Sequence, residues 1–547
     1  MSEPLLVIKD LVIEGYQEEQ WNGIVHGVSL SLNRGEVLGI IGESGAGKST
    51  IGIASMGYAR PGCRIVSGSI NFDGVDMAMA SEDRLREMRG VRVAYVAQSA
   101  AASFNPAHRI VQQFTETPVV HKVMGFGAAE QKSKDLFKSM DLPDPENIGR
   151  RFPHQVSGGQ LQRAMVAMAM SCDPDLIIFD EPTTALDVTT QIEVLAAIKD
   201  AIREHNTAAL YITHDLAVVS QIADRIMVLR YGNEVETGET RQMIENPKED
   251  YTRELLSVRK VHQDKADIEG LGNDILTVKN ITASYGNGVR VLEDVSMAVT
   301  KGTTVAVVGE SGSGKSTTAR VITGLLPPEM GEILFHGEPL APSFKDRPQD
   351  QLRRIQMIYQ MADVALNPRQ KVKDVIGRPL ELYFGLKGDA KKARVKELLE
   401  KIELGENYMD RFPSELSGGE KQRVCIARAL AAEPELIICD EVTSALDQLV
   451  AKGILKLLQD LQNDLGVSYL FITHDLATVK AISDEIVVMY QGKVVEQGPR
   501  DEILTPPHHD YTDLLLSSVP EMDPDWLDGV LEHRKELEAR GVVNLRT

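Results

Sequence analysis

The chain has no apolar run long enough to span a bilayer, only four cysteines, and no long run of basic residues. Each shortage excludes something. A membrane helix needs roughly 18–20 consecutive apolar residues. Stretches such as Leu176-Ile-Ile-Phe179 are strand-length and read as buried β-structure. Cys63, Cys172, Cys425 and Cys439 show no C-x-x-C spacing, which argues against a zinc or disulfide framework. Cys439, closing Leu436-Ile-Ile-Cys439, has the setting of a buried thiol. A formal net charge of −21 weighs against a nucleic-acid surface, where clustered Lys and Arg must neutralise phosphates. The opening Met1-Ser-Glu-Pro-Leu-Leu6 has no basic segment followed by a long apolar one. No signal peptide is therefore expected, and the chain reads as cytosolic unless another subunit holds it at a membrane. What remains is 547 residues, 43% of them hydrophobic, long enough for about three or four packed domains.

Two glycine-rich segments follow apolar, strand-like runs: Gly42-Glu-Ser44-Gly45-Ala-Gly47-Lys48-Ser49-Thr50 after Val37-Leu-Gly-Ile-Ile41, and Gly309-Glu-Ser311-Gly312-Ser-Gly314-Lys315-Ser316-Thr317 after Val305-Ala-Val-Val308. Both fit G-x-x-x-x-G-K-[ST]. Glycines let the backbone curl so that successive N–H groups point at phosphate oxygens. The lysine adds charge for the β- and γ-phosphates, the serine hydroxyl suits Mg²⁺, and the following helix offers its positive end. A chance turn could satisfy the pattern once. Two matches in the same local context make chance remote and predict two nucleotide sites.

The landmarks after each loop also come in pairs. Val93-Ala-Tyr-Val-Ala-Gln98 matches Ile355-Gln-Met-Ile-Tyr-Gln360, and Val156-Ser157-Gly158-Gly159-Gln160 matches Leu416-Ser417-Gly418-Gly419-Glu420. Leu176-Ile-Ile-Phe-Asp180-Glu181 matches Leu436-Ile-Ile-Cys-Asp440-Glu441. Ala185-Leu-Asp187 matches Ala445-Leu-Asp447, and Ile212-Thr-His214 matches Ile472-Thr-His474. The loops are offset by 267 positions and everything from Ser157 onward by 260, so the first half carries seven extra residues early on. Within each half, β-rich runs alternate with helical segments, a pattern that gives a mostly parallel sheet with helices packed on it. Ser157 and Ser417 can cap the helices that follow, expected over Leu161–Ser171 and Lys421–Ala432 and ended by Pro174 and Pro434.

This ordered set resembles the ATP-binding cassette of ABC transporters over nearly the whole chain, with Ser-Gly-Gly as its most discriminating element. The resemblance implies an α/β fold of two tandem nucleotide-binding domains. Each has a RecA-like core, an antiparallel β subdomain and an α-helical signature subdomain. The expected division is 1–256 for the first cassette, 257–273 for a charged linker, 274–517 for the second cassette and 518–547 for a helical tail. The tail's charged stretch Asp525–Arg540 reads as a solvated helix. In this family cassettes pair head to tail. Lys48 and Ser49 would then share one ATP with Ser417, Gly418 and Gly419, and Lys315 and Ser316 the other with Ser157, Gly158 and Gly159. Tethering both partners in one chain raises their effective concentration.

The resemblance also assigns roles. Asp180 and Asp440, with Ser49, Ser316, Gln98 and Gln360, would hold Mg²⁺. Glu181 and Glu441 would polarise the attacking water, and His214 and His474 would contact the γ-phosphate. Gln160, Glu420, Asp187 and Asp447 join the ATP-binding positions. Tyr16 and Tyr285 precede the loops where the family stacks an aromatic on adenine, or serve as ordinary strand aromatics. Val442 stands where the first half has Pro182, a change that removes no chemical group, so both sites are expected to hydrolyse ATP.

Ser103-Phe-Asn-Pro106, Ala365-Leu-Asn-Pro368, Asp250-Tyr-Thr252 and Asp510-Tyr-Thr512 look like the dipeptide/oligopeptide importer branch. That implies two integral-membrane permease subunits, an extracytoplasmic substrate-binding protein, and residence as a peripheral protein on the cytoplasmic face of the inner membrane. No nucleic-acid partner is expected. No cysteine lies beyond Cys439, so no iron–sulfur cluster is expected either. The competing class is a soluble two-cassette ABC protein acting on ribosomes or DNA. Its members carry a long basic linker or zinc-binding cysteine modules, and this chain has neither.

Overall fold

Alternating and continuous apolar patterns sort the strands of each half into two kinds of sheet. The computed structural model describes residues 3–539 apart from 18, 185, 258–272, 287 and 445. Nearly all of the expected linker lies outside the described residues. The chain divides into two units, Met1–Val258 with Pro520–Thr547, and Arg259–Val519.

In the first unit, β1 (Leu6–Gln17) and β2 (Gln20–Leu32) form a long hairpin. With β4 (Cys63–Phe72) and β5 (Val75–Asp76) they make a four-stranded antiparallel sheet in the order β2-β1-β4-β5. Leu6 and Ile8 alternate into the core, and an irregularity between Ile8 and Leu11 resets the pattern so that Leu11 and Ile13 join them there. The second sheet contains β3 (Val37–Gly42), β6 (Val93–Val96), β7 (Leu176–Asp180), β8 (Ala208–Ile212), β9 (Arg225–Arg230) and β10 (Asn233–Glu239). Its order is β10-β9-β3-β8-β7-β6, parallel except for the β9–β10 edge. β3, β7 and β8 are buried at every position, as interior parallel strands covered on both faces must be. Between β6 and β7 the chain makes a helical region that includes Ile110–Val120, Phe126–Ser139 and Gly158–Ala169. The rings of Phe114 and Phe137 pack there edge-to-face, 5.6 Å apart.

The second unit repeats this plan. β11 (Asp274–Ser284), β12 (Arg290–Thr300), β14 (Met330–Phe335) and β15 (Glu338–Pro339) form the antiparallel sheet, ordered β12-β11-β14-β15. β13 (Thr304–Val308), β16 (Ile355–Ile358), β17 (Leu436–Asp440), β18 (Ser468–Ile472), β19 (Glu485–Tyr490) and β20 (Lys493–Pro499) form the other, ordered β16-β17-β18-β13-β19-β20. Part of the first half's extra length is visible as β4, ten residues against six for β14.

Two expectations are corrected. The signature helices begin at Gly158 and Gly418, three residues earlier than expected, and end at Ala169 and Leu430. The cause is the serine cap, which makes the first turn helical before the first apolar residue. The C-terminal helix, Trp526–Ala539, is not a solvated element. It belongs to the first unit and buries Leu527, Val530, Arg534 and Leu537.

Candidate functional site

The sheet order decides which loops meet. β3, β8, β7 and β6 are neighbours, so the residues just past their carboxyl ends fan out side by side, the place where open α/β sheets bind ligands. In the first unit those residues are the Gly42–Thr50 loop, His214, the Asp180-Glu181 pair and Gln98. Each stands out in the sequence, and the fold brings them together.

The loop is shaped by its glycines. Gly42 has φ 151°, and a Cβ there would lie 2.2 Å from the Leu229 carbonyl oxygen; at Gly309, φ 148°, it would lie 2.1 Å from that of Met489. No other residue fits. Helix Lys48–Ala54 follows directly. The buried Lys48 ammonium donates to the carbonyls of Gly42 at 2.7 Å and Glu43 at 2.9 Å. Lys315 does the same to Gly309 at 2.8 Å and Glu310 at 2.7 Å. Ser49 Oγ donates to Asp180 Oδ1 at 2.7 Å, and Ser316 Oγ to Asp440 Oδ1 at 2.9 Å. A hydroxyl and a carboxylate converging in this way form a hard-oxygen pair that fits Mg²⁺ chemistry.

Glu181 and Glu441 both take φ 50°. A non-glycine residue in this region is strained, and such strain gathers at functional sites. Each amide is tied to the neighbouring strand, Glu181 N to Ile212 O at 2.8 Å and Glu441 N to Ile472 O at 2.9 Å. Each carboxylate then gathers the same partners. His214 Nδ1 lies 3.3 Å from Glu181 Oε1, and His474 Nδ1 3.3 Å from Glu441 Oε1. Gln98 Nε2 donates to Glu181 Oε2 at 3.2 Å, and Gln360 Nε2 to Glu441 Oε2 at 2.5 Å. Burial alone would raise both carboxyls, but the histidine hydrogen bond and charge, with the loop lysine, hold them below the ordinary carboxylate range. Burial works against the imidazolium too, and the paired glutamate outweighs it, raising both histidines. Asp440 is raised, first by burial and then by the charge of Glu441, against the Ser316 hydrogen bond.

The signature serines act as helix caps. Ser157 Oγ accepts from Gln160 N at 3.3 Å while Gln160 Oε1 accepts from Ser157 N at 3.2 Å. Ser417 and Glu420 form the same reciprocal pair at 3.3 and 2.7 Å. Asp187 caps helix Val188–His205 through Thr190 N at 2.9 Å, and Asp447 caps Gln448–Leu465 through Val450 N at 3.0 Å. The second signature glycine packs on that next helix: a Cβ on Gly159 would meet Thr190 at 2.0 Å, and one on Gly419 would meet Val450 at 2.5 Å. Tyr16 and Tyr285 lie at the ends of the antiparallel sheets. Tyr16 is 55% exposed with its ring 5.3 Å from Trp21. Tyr285 is half-buried, its hydroxyl 2.9 Å from Arg320 Nη1 and 3.4 Å from Thr317 Oγ1.

Sequence reasoning missed Tyr95 and Arg60. The Tyr95 hydroxyl donates to Asp180 Oδ2 at 2.6 Å, and Arg60 Nη2 lies 3.8 Å from the same oxygen. Burial, then the bond to Asp180, keeps this phenol protonated. The signal was in the register. Tyr95 pairs with Ile178, two positions before Asp180 and so on the same face. The second half has Met357 at that place, one of the differences between the two sites.

Residues 25–184 and 292–444 match the ABC transporter family, and residues 235–282 and 495–540 match the oligopeptide/dipeptide transporter C-terminal region. The glutathione import ATP-binding protein GsiA of Salmonella typhimurium is 38% identical, covering 96% of this chain and 90% of its own length. GsiA of Shigella dysenteriae is 37% identical over 95% of this chain and 90% of its own length. Among solved structures, cbiO1 from Clostridium perfringens, part of the ABC transporter complex cbiONQ, is 28% identical over 49% of this chain and 96% of that one, with a TM-score of 0.39. With both halves matching the family and relatives aligned nearly end to end, the chain belongs to the ABC transporter family as an importer-type, ATP-hydrolysing energy-coupling protein with two cassettes in one polypeptide.

Proposed function

We propose that the two cassettes power uptake of a short peptide or peptide-like solute through two membrane permeases fed by an extracytoplasmic binding protein. The observation that carries this is the repeated cluster. Asp180, Glu181, His214 and Gln98 in one half, and Asp440, Glu441, His474 and Gln360 in the other, stand at the ends of neighbouring strands beside a phosphate loop. The peptide class is supported by the oligopeptide/dipeptide C-terminal match and by relatives that import glutathione. No helix among the described residues is long and apolar enough to cross a membrane, so attachment at the inner face of the membrane would come through the permeases.

In this reading ATP lies along each loop, on Gly42, Ser44, Gly45, Gly47, Lys48, Ser49 and Thr50, or on Gly309, Ser311, Gly312, Gly314, Lys315, Ser316 and Thr317. Ser49, Asp180 and Gln98, or Ser316, Asp440 and Gln360, would hold Mg²⁺, which when bound neutralises phosphate charge. Glu181 and Glu441 orient and polarise the water, and His214 and His474 fix each carboxylate while facing the γ-phosphate. Positioning and charge stabilisation supply most of the rate in phosphoryl transfer, so no covalent intermediate is needed. Head-to-tail closure would complete each site with Ser157, Gly158 and Gly159 or Ser417, Gly418 and Gly419 of the opposite cassette.

The test uses the chain assembled with its permeases in proteoliposomes. Glutathione or a short peptide, delivered by the binding protein, should accelerate ATP hydrolysis and accumulate inside. Stimulation only by a sugar or a metal ion would overturn the substrate class. Glu181→Gln with Glu441→Gln should abolish turnover while ATP still binds, and unchanged turnover would refute the glutamates' role. Ser417→Arg should impair nucleotide trapping at Lys48 more than at Lys315, and the reverse would refute the head-to-tail pairing.

A further inference from the structure

The Asp-Tyr-Thr motifs near the end of each half have no part in the chemistry described so far, yet both reach a phosphate loop. Tyr251 and Tyr511, in helices Asp250–Ser257 and Asp510–Ser517, are 6% and 3% exposed. The Tyr251 hydroxyl donates to Glu43 Oε1 at 3.1 Å. The Tyr511 hydroxyl accepts from the Glu310 backbone N–H at 2.9 Å. Glu43 and Glu310 are the same residue of the two loops, the first after the leading glycine. Their carbonyls are among those that hold the Lys48 and Lys315 ammoniums.

The two halves hold these rings by different means. The Arg230 guanidinium lies 4.3 Å from the centre of the Tyr251 ring, a cation–π contact. At the equivalent place Tyr490 packs on Tyr511 with centroids 4.2 Å apart. Each helix is approached from β10 or β20 in a common way: Glu236 accepts from Lys248 N and Glu249 N at 2.9 and 3.1 Å, and Glu496 accepts from His509 N at 3.1 Å. Different side chains thus bring the same hydroxyl to the same loop residue. Packing alone would fill this space equally well with phenylalanine. Burial, then the charge of Glu43, raises the Tyr251 phenol, so it stays protonated and able to donate.

We propose that Tyr251 and Tyr511 are positioning residues for the two phosphate loops, Tyr511 through the Gly309–Glu310 peptide and Tyr251 through the side chain of Glu43, whose own carbonyl holds the loop lysine. Both fall in the segments that match the oligopeptide/dipeptide C-terminal region. On this view that region sets the geometry of the nucleotide site, and what disturbs the region changes ATP affinity. The inference rests on the nucleotide reading of the loops.

The experiment makes Tyr251→Phe and Tyr511→Phe singly in the full chain. Half-saturation of photolabelling by 8-azido-ATP is measured for each cassette after proteolytic separation, alongside KM, kcat and melting temperature. Losing one hydrogen bond should weaken labelling about three- to tenfold in the substituted cassette alone. KM should rise while kcat stays within about twofold, because a loop held before binding acts on affinity. Unchanged half-saturation in both variants overturns the proposal. So does a lower melting temperature with affinity intact, which is the mark of a purely structural contact. Glu43→Ala should be non-additive with Tyr251→Phe, and additive losses would refute the Glu43 route. Failure of the unsubstituted chain to label faults the nucleotide reading itself and not the tyrosines.

Discussion

Tyr16 and Tyr285 show how two residues with the same expected job come to be held differently. Tyr285 has its hydroxyl gripped by Arg320 and Thr317, both on the helix that follows the second phosphate loop. Its ring is therefore fixed beside that loop. Tyr16 shares its exposed site with Trp21, which lies under the Arg64 guanidinium at 4.0 Å. Stacking a base on an aromatic ring is worth about 1–3 kcal/mol. Tyr285→Ala should therefore weaken ATP binding at the second site at least about fivefold, measured with Lys48→Ala silencing the first. Tyr16→Ala, measured with Lys315→Ala, should lose less, because Trp21 still offers a ring. Equal losses would show that Trp21 plays no part. What was legible in sequence at this scale was chemical identity: lysine, serine, the Asp-Glu pairs and the histidines. The left-handed backbone of Glu181 and Glu441 was not, since a glutamate side chain does not favour φ 50° and only the fixed ends of the turn impose it.

At the scale of elements, a charge network joins the antiparallel sheet of the first unit to its parallel core. Asp73, in the turn between β4 and β5, meets Arg34 at 3.0 Å and Arg92 at 2.6 Å. Asp175, just before β7, meets the same two arginines, each at 2.7 Å. In the second unit Glu435 takes the place of Asp175, bonded to Arg354 and, at 2.7 Å, to His336. The Arg92 hydrogen bond, against the effect of burial and with help from Arg34, holds Asp73 below its ordinary 3.8. A carboxyl depressed in the folded state stabilises above its unfolded value, and that contribution is lost as pH falls through the folded one. Arg92→Gln should therefore cost about 1 kcal/mol near neutral pH, a figure kept small by partial exposure. The difference from the parent should shrink below pH 3.8. Trp21 and Trp526 both belong to the first unit, so tryptophan fluorescence in urea reads that unit directly. A difference that persists undiminished in acid would refute the assignment. The elements themselves were legible where pattern is strong, as in the strands leading into each loop and each Asp-Glu pair. Helix starts were misplaced because a serine cap acts before the apolar periodicity begins. Contacts between distant elements, such as Tyr95 on Asp180, appear only once strand register is known.

At the scale of the whole chain, the last helix was the least legible part. Its many charges suggested a solvated tail, yet Leu527, Val530 and Leu537 recur at helical spacing and are buried at 0%, 7% and 2% exposure. The chain leaves the second unit at Val519 and returns to the first. Gln221, itself buried, clamps the incoming segment: its Nε2 donates to the carbonyls of Glu521 and Asp523, each at 2.8 Å, and its Oε1 accepts from Leu527 N at 3.1 Å. Asp528 pairs with Lys199 at 3.0 Å and Asp525 with Arg241 at 2.8 Å. Further along, Arg534 donates to the Thr189 carbonyl at 3.1 Å, on the helix that Asp187 caps. Ending the chain at Val519 removes three buried apolar side chains, worth about 1.5–3 kcal/mol each, and leaves Gln221 without these partners. The first unit should then melt roughly 10 °C lower, followed by Trp21 fluorescence, while calorimetry shows the second unit's transition in place. Leu527→Ala alone should give a smaller shift in the same direction, with Gln221 still bonded. If truncation leaves the first transition where it was, the helix contributes nothing to that unit's stability, and its burial there is incidental.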